Sequence, residues 1–418
     1  GLSNMNFKLN LSTNLFFLLL FTSIVSFNSY SQESVIEDII VTAEKRDESL
    51  QDISQAVSAL TDSDLENKNI ESFVDLSAIV PGVTVSKNEG YKTVISIRGV
   101  GNETNQNAIA APSVAFHIDG VFIASPFSLL TDFIDIERIE VLRGPQGTLF
   151  GQNSTGGAIN IISKKPTTDD YYGKADLTIG NYDLLKYRTS VNIPVNEKIA
   201  TRFSFSSTKR DGFSENIVTG QDLDDANNIS LRSDWAIEIS DSSSLRIFAQ
   251  YFDIDRNGAA MRGIDDQTSG IRNLAQDTIS NQELTSKVFA AIYEQDLGYA
   301  NLKIVASSQE DDINVTRDND RHNLGETVAA IPGLEGTTYI KAEFRPETSL
   351  VETKTLEVNL ISNDPILNGK LDWVAGAFYM DHKIENHIKG YRDWDANGEI
   401  KYVCDEPFAN PNLSLIHI

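Results

Sequence analysis

The sequence has one cysteine, Cys404, in 418 residues. A single thiol rules out a disulfide framework and any metal site built on several cysteines. Basic residues are also scarce: 35 Lys and Arg stand against 60 Asp and Glu, a formal net charge of -25. Such a chain has no basic stripe with which to displace counterions from a phosphate backbone, so nucleic acid is not an expected partner. Long apolar runs are missing as well. The most apolar stretch, Leu15 to Val25 (LFFLLLFTSIV), has 11 residues, whereas a spanning helix needs about 20. Any residence in a membrane must therefore come from β-strands, whose backbone groups pair with neighbouring strands. No Ser/His/Asp or paired-carboxylate constellation stands out, so neither an enzyme nor a cofactor is expected.

What is present begins with an export pattern. Lys8 precedes the apolar stretch and the small residues Ser29 and Ser31 follow it, which predicts a signal peptide over residues 1–31. Met5 reads as the start, with Gly1 to Asn4 translated from upstream. At the other end Leu413 to Ile418 (LSLIHI) breaks the preceding pattern and is read as adapter sequence from library preparation. Export without a spanning helix points to the periplasm, outer membrane or exterior.

From Gln32 to about Lys165 the patterning mixes helix and strand, with a break at Pro166 to Asp170 (PTTDD). Leu65, Ile70, Phe73, Leu76 and Ile79 predict one helix over Ser63 to Val80, ended by Pro81-Gly82. Strands are predicted at Thr93 to Arg98, Val114 to Ile118, Ile136 to Leu142 and Ala158 to Ser163. After Tyr171 the texture changes to period two, as in Ala175, Leu177 and Ile179 or Tyr187, Val191, Ile193 and Val195. The alternation recurs at Ile199 to Lys209, Ile229 to Ile239, Leu245 to Asp253, Val288 to Tyr293, Leu302 to Ala306, Leu356 to Leu360 and Leu371 to Tyr379. A soluble sandwich and a transmembrane barrel both produce it. At about 25 residues per strand with its connection, residues 171–418 provide about ten strands. A lumen that holds a folded domain needs about 22.

Ile36 to Thr42 (IEDIIVT) is a short β-branched run that is suited either to adding itself to another protein's sheet edge or to serving as the next domain's first strand. The densest motif is Asp135 to Pro166, DIERIEVLRGPQGTLFGQNSTGGAINIISKKP. Ile136, Ile139 and Val141 interleave with charged residues, and Gly144-Pro145-Gln146-Gly147 forces a turn. A phosphate loop at Gly151 to Gly157 fails, because Gly157 stands where Lys is required.

With these residues the chain resembles the N-terminal part of a TonB-dependent outer-membrane receptor of the siderophore-receptor kind. IEDIIVTAEKR, SIRGVG (Ser96 to Gly101), FHIDGVF (Phe116 to Phe122) and the long motif match the family pattern in order. The resemblance implies an α+β plug domain inside a transmembrane antiparallel β-barrel of about 22 strands, of which about the first ten are present. Implied segments are a TonB box region at 32–46, a plug at 47–166 and a partial barrel at 171–412. The box residues Ile36, Glu37, Asp38, Ile39, Ile40, Val41 and Thr42 would engage TonB of the inner-membrane energising complex. Implied cargo is a ferric siderophore, with haem, cobalamin or carbohydrate as alternatives, and a passive porin or adhesin is the reading of another class. The protein is expected as a monomer surrounded by outer-membrane lipid.

Arg98, Glu137, Glu140 and Arg143 are candidates for ion pairs that hold the plug closed, and Gly99, Gly120, Gly144, Gly147, Gly156 and Gly157 are expected at plug turns. Asp393 to Ile400 (DWDANGEI) starts like a calcium loop but places Cys404 where a bidentate Glu is needed. His382 and His387 lie five apart on a strand, on opposite faces and about 17 Å from each other. No metal site is expected.

Overall fold

The computed structural model describes residues 40–42, 45–46, 48–51, 53, 55–88, 92–101, 112–125, 127–130, 133–263, 266–318, 321, 344–365, 371–394 and 400–409. The predicted signal peptide, the box residues Ile36 to Ile39, the centre of DWDANGEI and Leu413 to Ile418 lie outside the described residues.

The plug begins with β1 (Ile40–Val41) paired antiparallel to β2 (Glu48–Ser49). Next come β3 (Val57–Thr61), α1 (Asp62–Asn67), α2 (Phe73–Ile79), β4 (Val83–Asn88), β5 (Lys92–Ile97) and β6 (Val100–Gly101). Its second half holds β7 (Val114–Ile118), β8 (Val121–Phe122), β9 (Ile136–Arg143), the short α3 (Gly147–Phe150) and β10 (Gly157–Ser163). A five-stranded sheet runs β3-β9-β10-β7-β8, and β4-β5-β6 form a second, smaller sheet.

The single helix predicted over Ser63 to Val80 is two. Asn69 turns left-handed at φ 52° and ends α1. A second start follows, where the Asp75 carboxylate accepts from the Glu71 and Ser72 N–H groups at 3.0 and 2.8 Å. Thr61 and Asp64 cap α1 in the same reciprocal way, at 3.3 and 3.2 Å. The apolar spacing fits one helix, but two capping signals eleven residues apart make two. Both helices bury their apolar faces on one side of the sheet, where the Phe73 ring meets Phe116 edge-on at 5.6 Å and Phe133 at 4.9 Å. Ile97, Ile139, Val141 and Ile159 complete that core.

Two hairpins in the plug follow directly from their sequence. Ile118-Asp119-Gly120-Val121 joins β7 to β8 with Asp119 at φ 53° and Gly120 at φ 83°. Two consecutive positive φ values define a type I′ turn, for which Asp-Gly is a favoured pair. Arg98-Gly99 makes the same turn between β5 and β6. Gly157 has a different reason to be glycine, since a Cβ there would stand 2.2 Å from the Leu142 carbonyl.

After Pro166 a ten-stranded antiparallel sheet begins: β11 (Tyr172–Gly180), β12 (Leu184–Asn196), β13 (Ile199–Arg210), β16 (Ala226–Ser240), β17 (Ser243–Arg256), β19 (Asn281–Asp296), β20 (Ala300–Asp318), β21 (Phe344–Ser362), β22 (Val374–Trp394) and β23 (Ile400–Ala409). Connections alternate between short ones, such as 197–198 and 241–242, and long ones, such as 211–225, 257–280 and 319–343. Two of the long connections join through β14 (Ser214–Asn216), β15 (Gln221–Leu223) and β18 (Asn273–Leu274). Strands are longer than the alternating segments read from the sequence, reaching 21 residues in β22. Apolar alternation marks only the portion that would face lipid, and the backbone ladder continues beyond it.

The two faces of this sheet separate the sandwich from the barrel. Leu177, Ile179, Phe203, Leu231, Phe289 and Leu356 are exposed on the outside. Lys186, Asn192, Arg202, Arg232, Asp234 and Asp311 are buried on the inside, against the plug. A water-soluble sheet places its apolar face inward, whereas apolar outside and polar inside is the arrangement of a membrane barrel. Aromatic pairs such as Phe203 and Trp235, 6.2 Å apart, line the outer face. Phe248, Val288, Ala290, Ile292 and Val305 form an apolar inner patch that extends the plug core into the sheet.

Replacing Phe73 by Ala should cost the plug about 3–5 kcal/mol. Hydrogen exchange should show the loss as reduced protection of β9 and β10 amides while the β16 to β20 ladder keeps its protection.

Candidate functional site

The site is the boundary between plug and sheet, and charge organises it. Plug carboxylates face bases on the early strands. Glu66 contacts Lys174 on β11, and Glu71 takes Lys186 at 2.6 Å and Arg188 at 3.2 Å on β12. Asp135 takes Arg202 on β13, and Asp119 takes Arg232 on β16 at 2.6 Å and Arg246 on β17 at 3.1 Å. On the later strands the signs reverse. Lys92 faces Glu347 at 3.4 Å, Lys45 faces Glu357 at 2.9 Å, and Arg46 faces Asp372 at 2.9 Å. Between the two charged zones lies the apolar inner patch. The plug is thereby keyed to one rotational setting, because turning it would bring like charges together.

Asp119 is deeply enclosed, with 1% of its side chain exposed. The type I′ turn projects its carboxylate from the end of β7 toward the sheet. Arg232 and Arg246 also bind Asp234, at 3.0 and 2.6 Å, so two arginines and two carboxylates form a closed group. Ser163 adds its N–H at 3.0 Å and its hydroxyl at 2.5 Å to Asp119. Burial by itself would raise the Asp119 carboxyl, but Arg246, Arg232 and the Ser163 donors hold it lowered to about 2. The Arg232 guanidinium also lies 4.1 Å from the Phe248 ring centroid.

The N-terminal segment is held by a second set of contacts. The Glu140 carboxylate, fully buried on β9, accepts from the Thr42 N–H at 2.9 Å and from the Thr42 hydroxyl at 3.0 Å. Asn160 donates to the Thr42 hydroxyl at 3.0 Å, and Arg138 donates to Glu140 at 2.8 Å. Beyond Lys45 and its partner Glu357, Arg46 donates to Ser362 Oγ at 2.8 Å and to the Trp373 carbonyl at 2.9 Å.

The predicted ion-pair residues have other surroundings than one another. Glu137 and Glu140 both bind Arg138. Arg98 is exposed at the tip of its hairpin, and Arg143 is half-buried with its Nε unpartnered. Neither is in an ion pair among the described residues. Of the predicted turn glycines, Gly99, Gly120, Gly144 and Gly157 have positive φ. Gly156 packs where a Cβ would lie 2.7 Å from the Val100 carbonyl, and Gly147 opens α3. Thr353 and the His382 ring lie 2.8 Å apart, and among the described residues no cluster of three or more His, Cys, Asp or Glu is arranged to hold a metal.

Asp119, Asp135, Arg202, Arg232 and Arg246 were not among the sequence candidates. A signal existed: Arg232, Asp234 and Arg246 are charged residues at positions whose alternation points inward, away from the apolar outer face.

A keyed domain against an inside-polar, outside-apolar sheet is the arrangement of a plugged outer-membrane barrel. Residues 49–158 match the family described as TonB-dependent Receptor Plug Domain. Among curated proteins, the chain is 29% identical over 192 residues to the Vitamin B12 transporter BtuB of Vibrio vulnificus, covering 45% of this chain and 30% of that protein. It is 33% identical over 147 residues to the Iron-regulated outer membrane virulence protein of Vibrio cholerae, covering 34% and 22%. Among solved structures, the ferric yersiniabactin uptake receptor FyuA of Yersinia pestis superposes with a TM-score of 0.67 at 16% identity, covering 82% of this chain and 50% of that one. The siderophore receptor PiuA of Acinetobacter baumannii gives 0.65 at 17%, covering 85% and 49%. The chain therefore spans less than a third of these curated relatives and about half of these solved chains. Residues 49–158 thus match the TonB-dependent receptor plug, and the ten strands that follow share the fold of such receptors' barrels.

Asp119 binds fewer protons folded than unfolded. Its stabilisation is complete above about pH 4 and is lost as the pH falls toward 2, a contribution on the order of 2 kcal/mol. Thermal unfolding of the reconstituted receptor should show that loss, and Asp119→Asn should remove it while costing about 3–5 kcal/mol at neutral pH.

Proposed function

We propose that this chain is the gating part of an active importer that takes up a scarce, large substrate and is energised by TonB through Ile36 to Thr42. The observation that carries this reading is the seating of Thr42 on the buried Glu140, with Lys45 and Arg46 tied to the sheet. A segment joined both to the plug sheet and to the barrel is where a pull from the periplasm would act on both at once. The need for work follows from the site. A plug keyed by buried ion pairs does not leave a path spontaneously, and the outer membrane offers no nucleotide to drive it. An extended box can add itself as a strand to a partner's sheet edge, with main-chain hydrogen bonds supplying the grip.

A ferric siderophore is the substrate class we favour. The solved relatives are described as a ferric yersiniabactin uptake receptor and a siderophore receptor, and one curated relative is iron-regulated by name. Cobalamin is the second reading, supported by the Vitamin B12 transporter match over 192 residues.

Deleting Ile36 to Thr42 from the receptor should leave surface binding of the substrate intact and abolish its uptake. Unchanged uptake would instead identify a passive pore. Expression should rise on iron depletion, and induction by cobalamin shortage alone would favour the second reading.

A further inference from the structure

The register of the plug sheet lines up one row of side chains across five strands. Ala59 on β3 faces Glu140 on β9, Glu140 faces Asn160 on β10, Asn160 faces His117 on β7, and His117 faces Phe122 on β8. Cross-strand partners point to the same side of a sheet. The opposite side packs on the helices, so this row lies on the side covered by the N-terminal segment and the barrel. Glu140, Asn160 and His117 are all buried. Three polar groups in a row inside a protein call for partners.

One end of the row has them and the other does not. Thr42 satisfies Glu140 and one side of Asn160. At the far end His117 Nδ1 is buried without a hydrogen-bond partner, as is the Oδ1 of Asn160. The His117 ring lies among aromatics instead, edge-on to Phe150 at 5.1 Å and tilted to Phe122 at 5.5 Å. Phe122 in turn meets Phe378 of the sheet at 6.0 Å. Lys45 sits 5.1 Å from the centroid of the same Phe150 ring, so the segment's cation and the imidazole share one aromatic neighbour.

The other charges nearby among the described residues have partners. Glu140 is engaged by Thr42, Asn160 and Arg138, and Glu357 holds Lys45. Asp119, two residues on in the turn between β7 and β8, is enclosed by Arg232 and Arg246. α3 presents no charged residue. Among the described residues, the docked arrangement thus offers His117 a cation and aromatic rings but no carboxylate of its own.

We propose that His117 makes release of the segment carrying Thr42 and Lys45 a proton-linked step: the imidazole stays neutral beneath the docked segment and takes up a proton once the segment lifts. Burial, followed by the Lys45 charge, pushes His117 well below its ordinary value of 6.5 while the segment is seated. Lifting the segment removes the Lys45 charge and opens the side of the sheet on which His117 lies, so the released form binds the proton more readily than the docked form. Acid therefore favours release, by up to about tenfold per pH unit below 6.5. This device requires the docked segment but not the identity of what pulls it, so it goes beyond the energising role proposed above.

The test uses the receptor in lipid nanodiscs without TonB, with Cys404→Ser and a spin label at Ile40→Cys. Between pH 8 and pH 5 the mobile fraction of the label should rise, and His117→Phe, which keeps the aromatic packing, should flatten the rise. An equal rise in His117→Phe, or none in the parent, would overturn the proposal. A second measurement avoids the variant: carbon-13 histidine spectra should show His117 neutral through pH 5.5 in the intact receptor. The same resonance should titrate near 6.5 in a receptor lacking the residues up to Arg46. Ordinary titration in the intact receptor would sink the idea, whatever the box-deletion uptake assay shows.

Discussion

Asp119 sits where the plug ends and the sheet begins, and the arrangement around it sets the conditions for everything else. A carboxylate taken out of water is costly unless opposite charge and hydrogen-bond donors replace the solvent. Two sheet arginines and Ser163 do so here, and Asp234 keeps the arginines from facing an unbalanced charge. Because each member is buried, none can leave alone without stranding another. The plug core, its hairpins and its N-terminal segment are all positioned relative to that fixed group.

Charge zoning extends the same logic around the lumen. Bases on β11 to β17 meet plug acids, and acids on and after β21 meet plug bases, with the apolar patch of Phe248, Val288 and Val305 between them. The apolar patch supplies attraction without direction, and the charges supply direction. The N-terminal segment combines both kinds of contact, with Thr42 on the buried Glu140 and Arg46 beside the half-exposed Asp372. A salt bridge open to solvent contributes little compared with a buried one.

Much of the fold was legible because local rules act at short range. The period-two texture after Tyr171 located the barrel strands, and the strands Val114 to Ile118 and Ile136 to Leu142 were found within a residue. Asp-Gly at 119–120 announced its hairpin. The split of the predicted helix was less visible, since its apolar spacing fits one helix and the capping pair Ser72 and Asp75 had to be weighed against it. Arg98 looked like an ion-pair partner because it is charged and motif-bound, yet the type I′ turn carries it to an exposed tip. Glu140 stands out in the sequence by its motif, but its neighbours Thr42 and Asn160 lie 98 and 20 positions away.

The sequence by itself determined strand alternation, the turn chemistry and the motif order of the plug, since each depends on residues within a few positions of one another. Only the tertiary structure decided which face of the sheet met lipid, which arginine met which carboxylate, and what covered His117. Those outcomes depend on strand register and on contacts separated by a hundred residues or more, where one residue of slip exchanges the two faces and every pairing with them.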